Sequence, residues 1–112
     1  MHMAVAALIG QKRATINWLI RIELLTGALT AESYRELEGD LSALRQLELT
    51  NVVFQTACVL RWQLQRRGVT IPLVDVLIAA CAIHYDCTLL HDDHHFRLLA
   101  RHTPLKLYPL HT

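Results

Sequence analysis

The longest apolar stretch of this 112-residue chain, Val69–Ile83, is interrupted by Pro72 and Asp75. It is too broken to span a membrane. Pro72 suits the first turn of a helix that runs to about His84. Just before it, Asn51–Arg67 reads as the clearest helix. Val53, Ala57, Leu60 and Leu64 fall on one face, while Arg61, Gln65, Arg66 and Arg67 lie off it. Thr50 is its expected N-cap and Gly68 its C-terminal stop.

The flanking segments switch between helical and strand character. Ala4–Lys12 reads as a short helix ending near Gly10, and Ala14–Leu19 as a short strand. Arg21–Leu29 reads as a helix with Gly27 a weak spot in it. Thr30 opens a helix carrying Leu37, Leu41, Leu44 and Leu47, with Glu32 in the first turn, where the dipole favours an acid. Brief strands are expected at Leu47–Leu49, Thr88–His91 and Leu105–Tyr108, with a short helix at His94–Ala100. Such alternation predicts an α/β layered fold with a mainly parallel sheet. Sites in such folds lie at the carboxyl ends of strands, which selects residues just after Leu19 and just after His91.

Composition narrows the function. Residues 1–112 form one expected domain, and 53% hydrophobic content supports one core and excludes disorder. A net charge of +1 excludes a broadly basic nucleic-acid binder, and with the strand-like segments it disfavours a plain helical DNA-binding domain. Any nucleic-acid contact must be a local patch. Three cysteines, Cys58, Cys81 and Cys87, form no CxxC pair and read as buried free thiols of a reducing cytoplasm. The N-terminal apolar stretch precedes Lys12 and Arg13, the wrong order for a signal peptide.

Three acids sit in or beside apolar runs: Glu23, Asp75 and Asp93. Asp75 falls in the first turn of its helix, where the positive dipole end favours the carboxylate. Ala79 and Ala82 share its face and would leave room above it for an ion or a substrate. An acid at a helix start also caps its own helix, and Glu23 beside Arg21 has the ordinary reading of a solvated residue. His91-Asp92-Asp93-His94-His95 has two readings. One is a zinc-type cluster, disfavoured because adjacent residues do not all aim at one ion and no HxxxH or HExxH spacing is present. The other is a strand-end loop giving one oxygen ligand from Asp93.

Arg67–Ala80, with Asp75 inside it, is similar to a block of PIN-domain toxins of the VapC type. Thr88–Phe96 resembles the last motif of that family, and Glu23–Ala28 its glutamate-containing helix. The resemblance covers nearly the whole chain. It implies a three-layer α/β/α fold with a mainly parallel sheet. It implies a ribonuclease using Mg²⁺ or Mn²⁺, with Glu23, Asp75 and Asp93 as the second, third and fourth acids. Hard oxygen ligands suit those ions. Clustered carboxylates repel, so at least one is expected to titrate high before metal binds. Arg61, Arg66, Arg67 and Arg97 are candidate RNA-backbone contacts, each with the alternative of ordinary solvated surface. An antitoxin protein and a second copy of the chain are the expected partners.

Two departures stand out. His95 occupies a place where the family usually has an Asp, which weakens metal binding or shifts it towards softer ions. No Asp or Glu precedes Glu23, so the strand carrying the family's first acid is expected to be missing. Several unpaired strand groups at about 1–3 kcal/mol each would rival the stability of a domain. The gap is therefore expected to close by direct pairing of its neighbours, to be filled by a second copy, or to reflect a truncated product of a longer gene, with a dimer or a truncated product expected over an intact lone enzyme. The competing function is a PIN-like scaffold without catalysis that holds an antitoxin or other protein.

Overall fold

A computed structural model describes residues 7–10, 13–91 and 93–108. The elements run β1 (Ala7–Gly10), β2 (Arg13–Ile16), α1 (Trp18–Thr26), α2 (Ala31–Ser42), β3 (Arg45–Gln46), α3 (Asn51–Arg66), α4 (Leu73–His84), β4 (Thr88–Leu90), α5 (His94–His102) and β5 (Lys106–Leu107). Local chemistry sets the helix starts. Asn17, Thr30, Thr50 and Asp93 each accept a backbone N–H through the side chain. Thr30 and Ser33 cap each other reciprocally. Gly68 ends α3 at φ 75°, and the Val69 N–H returns to the Leu64 carbonyl at 2.9 Å.

The sheet order is β3-β2-β1-β4-β5. β2 pairs with β3 in parallel, β4 with β5 in parallel, and β1 runs antiparallel to both β2 and β4. Four strands therefore share one direction and β1 alone opposes them, which gives two parallel and two antiparallel ladders. α1 and α2 carry the chain from β2 to β3, and α5 carries it from β4 to β5, as parallel neighbours require.

The expected helix at Ala4–Lys12 is corrected where it is described, because Ala7–Gly10 is a strand. Leu8 pairs with Thr15 on one side and Leu89 on the other. This also corrects the expected fate of the gap. The neighbours have not closed on each other and no second copy is needed, because the chain's own segment satisfies the facing rows of N–H and C=O groups. A short apolar sequence has little preference of its own, and that pairing decides it. Elsewhere the differences are at boundaries. α1 begins at Trp18 and stops at Gly27, and β3 lies at Arg45–Gln46 rather than Leu47–Leu49.

α4 is the centre of the core. Val76, Ile78, Ala79, Ala80, Cys81 and Ala82 are all fully buried, and the helix touches α1, α3, α5 and β4. Ala79 and Ala82 thus pack inward and do not line an opening above Asp75. Phe96 and Leu99 of α5 complete the core beside Leu89. Cys81 and Cys87 are buried free thiols as expected, whereas Cys58 is exposed. Among the described residues, no helix is long and apolar enough to cross a membrane.

Candidate metal centre

β2 and β4 point the same way, so their carboxyl ends lie at one edge of the sheet on either side of the amino end of β1. The helices that follow them bring in the acids. Beyond β2, buried Asn17 accepts the Ile20 N–H at 2.9 Å and starts α1, which carries Glu23 on its second turn. Beyond β4, Asp93 caps α5 by accepting the His95 N–H at 2.8 Å. Asp75 reaches the same place from the first turn of α4.

His95 joins two of these acids. Its Nδ1 lies 3.1 Å from Asp75 Oδ2 and 3.4 Å from Asp93 Oδ1. His94 Nδ1 lies 3.5 Å from that same Asp93 oxygen. The two imidazoles tilt against each other at 4.1 Å between centroids. The ligand atoms of Asp93, His94 and His95 all fall within 4.8 Å of one another. Adjacent residues do converge here, contrary to the expectation from spacing. The capping turn at the start of α5 folds the three side chains back over one another. Asp92 lies outside the described residues.

The electrostatics tie Glu23 to the same cluster. Burial raises its carboxyl above the ordinary value, and the charges of Asp75 and Asp93 raise it further. Asp75 is also raised, first by burial and then by Asp93, against the pull of His95 and His91. Asp93 ends below its ordinary value. Burial pushes it up, but the His95 N–H and the three imidazoles of His95, His91 and His94 pull it lower. Two of the three acids thus hold protons more tightly than usual. A cation beside them would relieve their mutual repulsion. Their oxygens, with imidazole nitrogens adjacent, are donors suited to a divalent ion.

The arginines are scattered. Arg61 borders an apolar groove between α3 and α4 with Phe54, Trp62, Leu73 and Leu77. Arg66 stacks on Trp62 at 5.0 Å, Arg67 is exposed at the end of α3, and Arg97 is exposed on α5. Of these four, Arg97 alone sits on an element that also carries a cluster residue. Sequence reasoning weighed His91 only within the disfavoured zinc-type reading; it is buried at 7% exposure and lowers both Asp75 and Asp93. The dense His/Asp run His91–His95 was the visible signal for it.

An α/β/α fold with acids gathered beyond the carboxyl ends of parallel strands defines the class: the chain belongs to the PIN-domain family, whose profile matches residues 1–102. It is similar to the VapC ribonuclease Mb1587 of Mycobacterium bovis and to ribonuclease VapC11 of Mycobacterium tuberculosis. Each is 33% identical over 89 residues, covering 78% of this chain. The match spans 66% of each relative's length, just under two thirds.

Proposed function

We propose that this chain is a metal-dependent ribonuclease of the VapC type, with Glu23, Asp75 and Asp93 holding Mg²⁺ or Mn²⁺. The observation that carries the reading is that three carboxyls from three different helices, beyond one sheet edge, are near enough for Asp75 and Asp93 to raise Glu23 and for Asp93 to raise Asp75. Glu23, Asp75 and Asp93 would hold the ion, which when bound would activate a water and offset charge on the scissile phosphate. The protein's own part is positional. Asn17 fixes the start of the Glu23 helix, and the α5 cap aims Asp93 at Asp75. His95 holds Asp75 in place through its hydrogen bond. Arg97 is the arginine best placed to contact an RNA backbone, with Arg61, Arg66 and Arg67 on a separate surface.

The proposed setting is the cytoplasm, with an antitoxin protein as partner and a homodimer as the assembly. The dimer rests on the exposed apolar surface of α3 and α4, where Phe54, Trp62, Leu73 and Val74 are 40–59% exposed, and no longer on an unfilled strand position. Light scattering reads the assembly directly, and a monomeric mass would remove the dimer from the proposal.

The test is cleavage of a short labelled RNA with Mg²⁺, with Mn²⁺ and with EDTA, alongside Asp75→Asn. Cleavage is expected to need metal and to vanish in the variant. No cleavage above the Asp75→Asn background by folded protein would favour the second reading, a PIN-like scaffold that binds a protein partner. One observation favours that reading: the strand in the central sheet position, Ala7–Gly10, carries no acid.

A further inference from the structure

We propose that Trp18 is a stacking platform for one unpaired base of single-stranded RNA, held by Arg21 and lying beyond the same sheet edge as the acids. The inference rests on the ribonuclease reading for its ligand. It gives that reading a substrate-positioning site outside the metal centre.

Trp18 opens α1 directly after the Asn17 cap, at the carboxyl end of β2. A large aromatic ring gains most by burial, yet Trp18 is 54% exposed. The ring is nevertheless held. Arg21, one turn on, sets its guanidinium 4.8 Å from the ring centroid. The same guanidinium donates to Ser42 Oγ at 2.7 Å. Ser42 ends α2, so this clamp ties the first turn of α1 to the last turn of α2. Ile22, one turn beyond Trp18, is 58% exposed and extends the ledge along the helix. The pair Trp62 and Arg66 is built alike, but α3 carries none of the acids of the cluster.

Position and charge then choose the ligand. α1 also carries Glu23, so the ring and a proposed metal ligand are fixed to one rigid element. From Trp18 to Glu23 the helix rises about 7.5 Å and turns about 140°. The two side chains therefore leave different flanks of a helix about 10–12 Å across. That separation is covered by roughly three nucleotides at a stacked spacing of about 3.4 Å. The first turn of α1 carries no acid, so the positive end of its dipole and the Arg21 guanidinium stand beside the ring. A cation against one face of an indole is attracted by its quadrupole and fixes the ring. Single-stranded RNA offers a flat base next to a phosphate, which matches an aromatic ledge rimmed by positive charge. A purely apolar peptide would leave that charge unused.

The experiment measures binding of short labelled single-stranded RNAs to the full chain by fluorescence anisotropy. The chain carries Asp75→Asn so that the RNA stays intact. The RNAs share one mixed sequence, with an abasic site moved along it one nucleotide at a time. One abasic position should weaken binding by about 5- to 150-fold, the range for losing one aromatic–base stack. Trp18→Leu should cause a similar loss with intact RNA and no further loss at that abasic position, because both changes remove the same contact. Trp18→Phe should restore most of the affinity, and Arg21→Gln should lie between the parent and Trp18→Leu. With Asp75 intact, Trp18→Leu should raise KM far more than it lowers kcat. Circular dichroism confirms that each variant is folded. Equal affinity of Trp18→Leu and its parent for intact RNA would overturn the proposal, as would losses that add at every abasic position. Coupling at Trp18 without cleavage would leave this inference standing and sink the ribonuclease reading alone. Cleavage with KM unchanged in Trp18→Leu would do the reverse. No RNA binding by the folded chain would overturn both and leave the ledge to a protein partner.

Discussion

Glu23→Gln should stabilise the metal-free protein while removing a proposed metal ligand. The substitution keeps the shape of the side chain and deletes its charge. Folding raises the Glu23 carboxyl above its ordinary value of 4.5, first through burial and then through Asp75 and Asp93. The folded state therefore binds that proton more tightly than the unfolded state does. Above the folded-state value, ionised Glu23 costs the fold free energy. Below 4.5 both states are protonated and the cost is gone. Glu23 is an exposed residue, so solvent screening holds the gain to the few tenths to about 1 kcal/mol typical of exposed charge interactions. For a chain of this length that is a rise of roughly 1–5 °C in Tm. Thermal melts in EDTA at pH 7 should show the gain, and it should shrink as the pH falls towards 4.5. Adding Mn²⁺ should reverse the order, because an ion bound at 100 times its Kd stabilises by about 2.7 kcal/mol and the variant binds it less well. A variant that melts below the parent in EDTA at pH 7 would refute the reasoning. A gain independent of pH would do the same.

The two glycines Gly68 and Gly39 should respond to alanine with opposite signs. At Gly68, φ is 75° and nothing lies within 4 Å of an added Cβ, so the left-handed backbone alone costs about 1–2 kcal/mol in denaturant melts. Gly39 lies inside α2 with the same open space, so Gly39→Ala should stabilise by about 0.5–1 kcal/mol. Phe96→Ala should cost roughly 3–5 kcal/mol, because the ring is 1% exposed and rests on His91 at 4.5 Å. A loss under about 1 kcal/mol would mean that the core at α5 collapses around the gap.

The helices were legible because their signals are local. Thr50 and Gly68 bound α3 by side-chain capping and left-handed geometry, and both are set by the residue itself. Val53, Ala57, Leu60 and Leu64 mark the buried face by spacing alone, and all four are buried. The strands were less legible because they are short and take their identity from partners. Arg45–Gln46 has no strand pattern, and only its pairing with Thr15 and Ile16 makes it one. Ala7–Gly10 is the extreme case. Its apolar residues suit a helix as well as a strand, and the facing rows of β2 and β4 decide between them.

The three acids stood out in the sequence because each lies in or beside an apolar run, and their charges influence one another in the fold. What the sequence could not convey is how the orientation of β1 limits the site. In its register Ala7 lies opposite Leu90, while Gly10 lies opposite Arg13 at the far edge. A parallel strand in this position would deliver its carboxyl-terminal residues to the acids. The antiparallel β1 presents its amino end there instead, with Ala7 opposite Leu90. The nitrogens of His94 and His95 stand beside the remaining oxygens. Among the described residues the acids are therefore delivered by α1, α4 and the cap of α5, and the sheet supplies only the edge beyond which they lie.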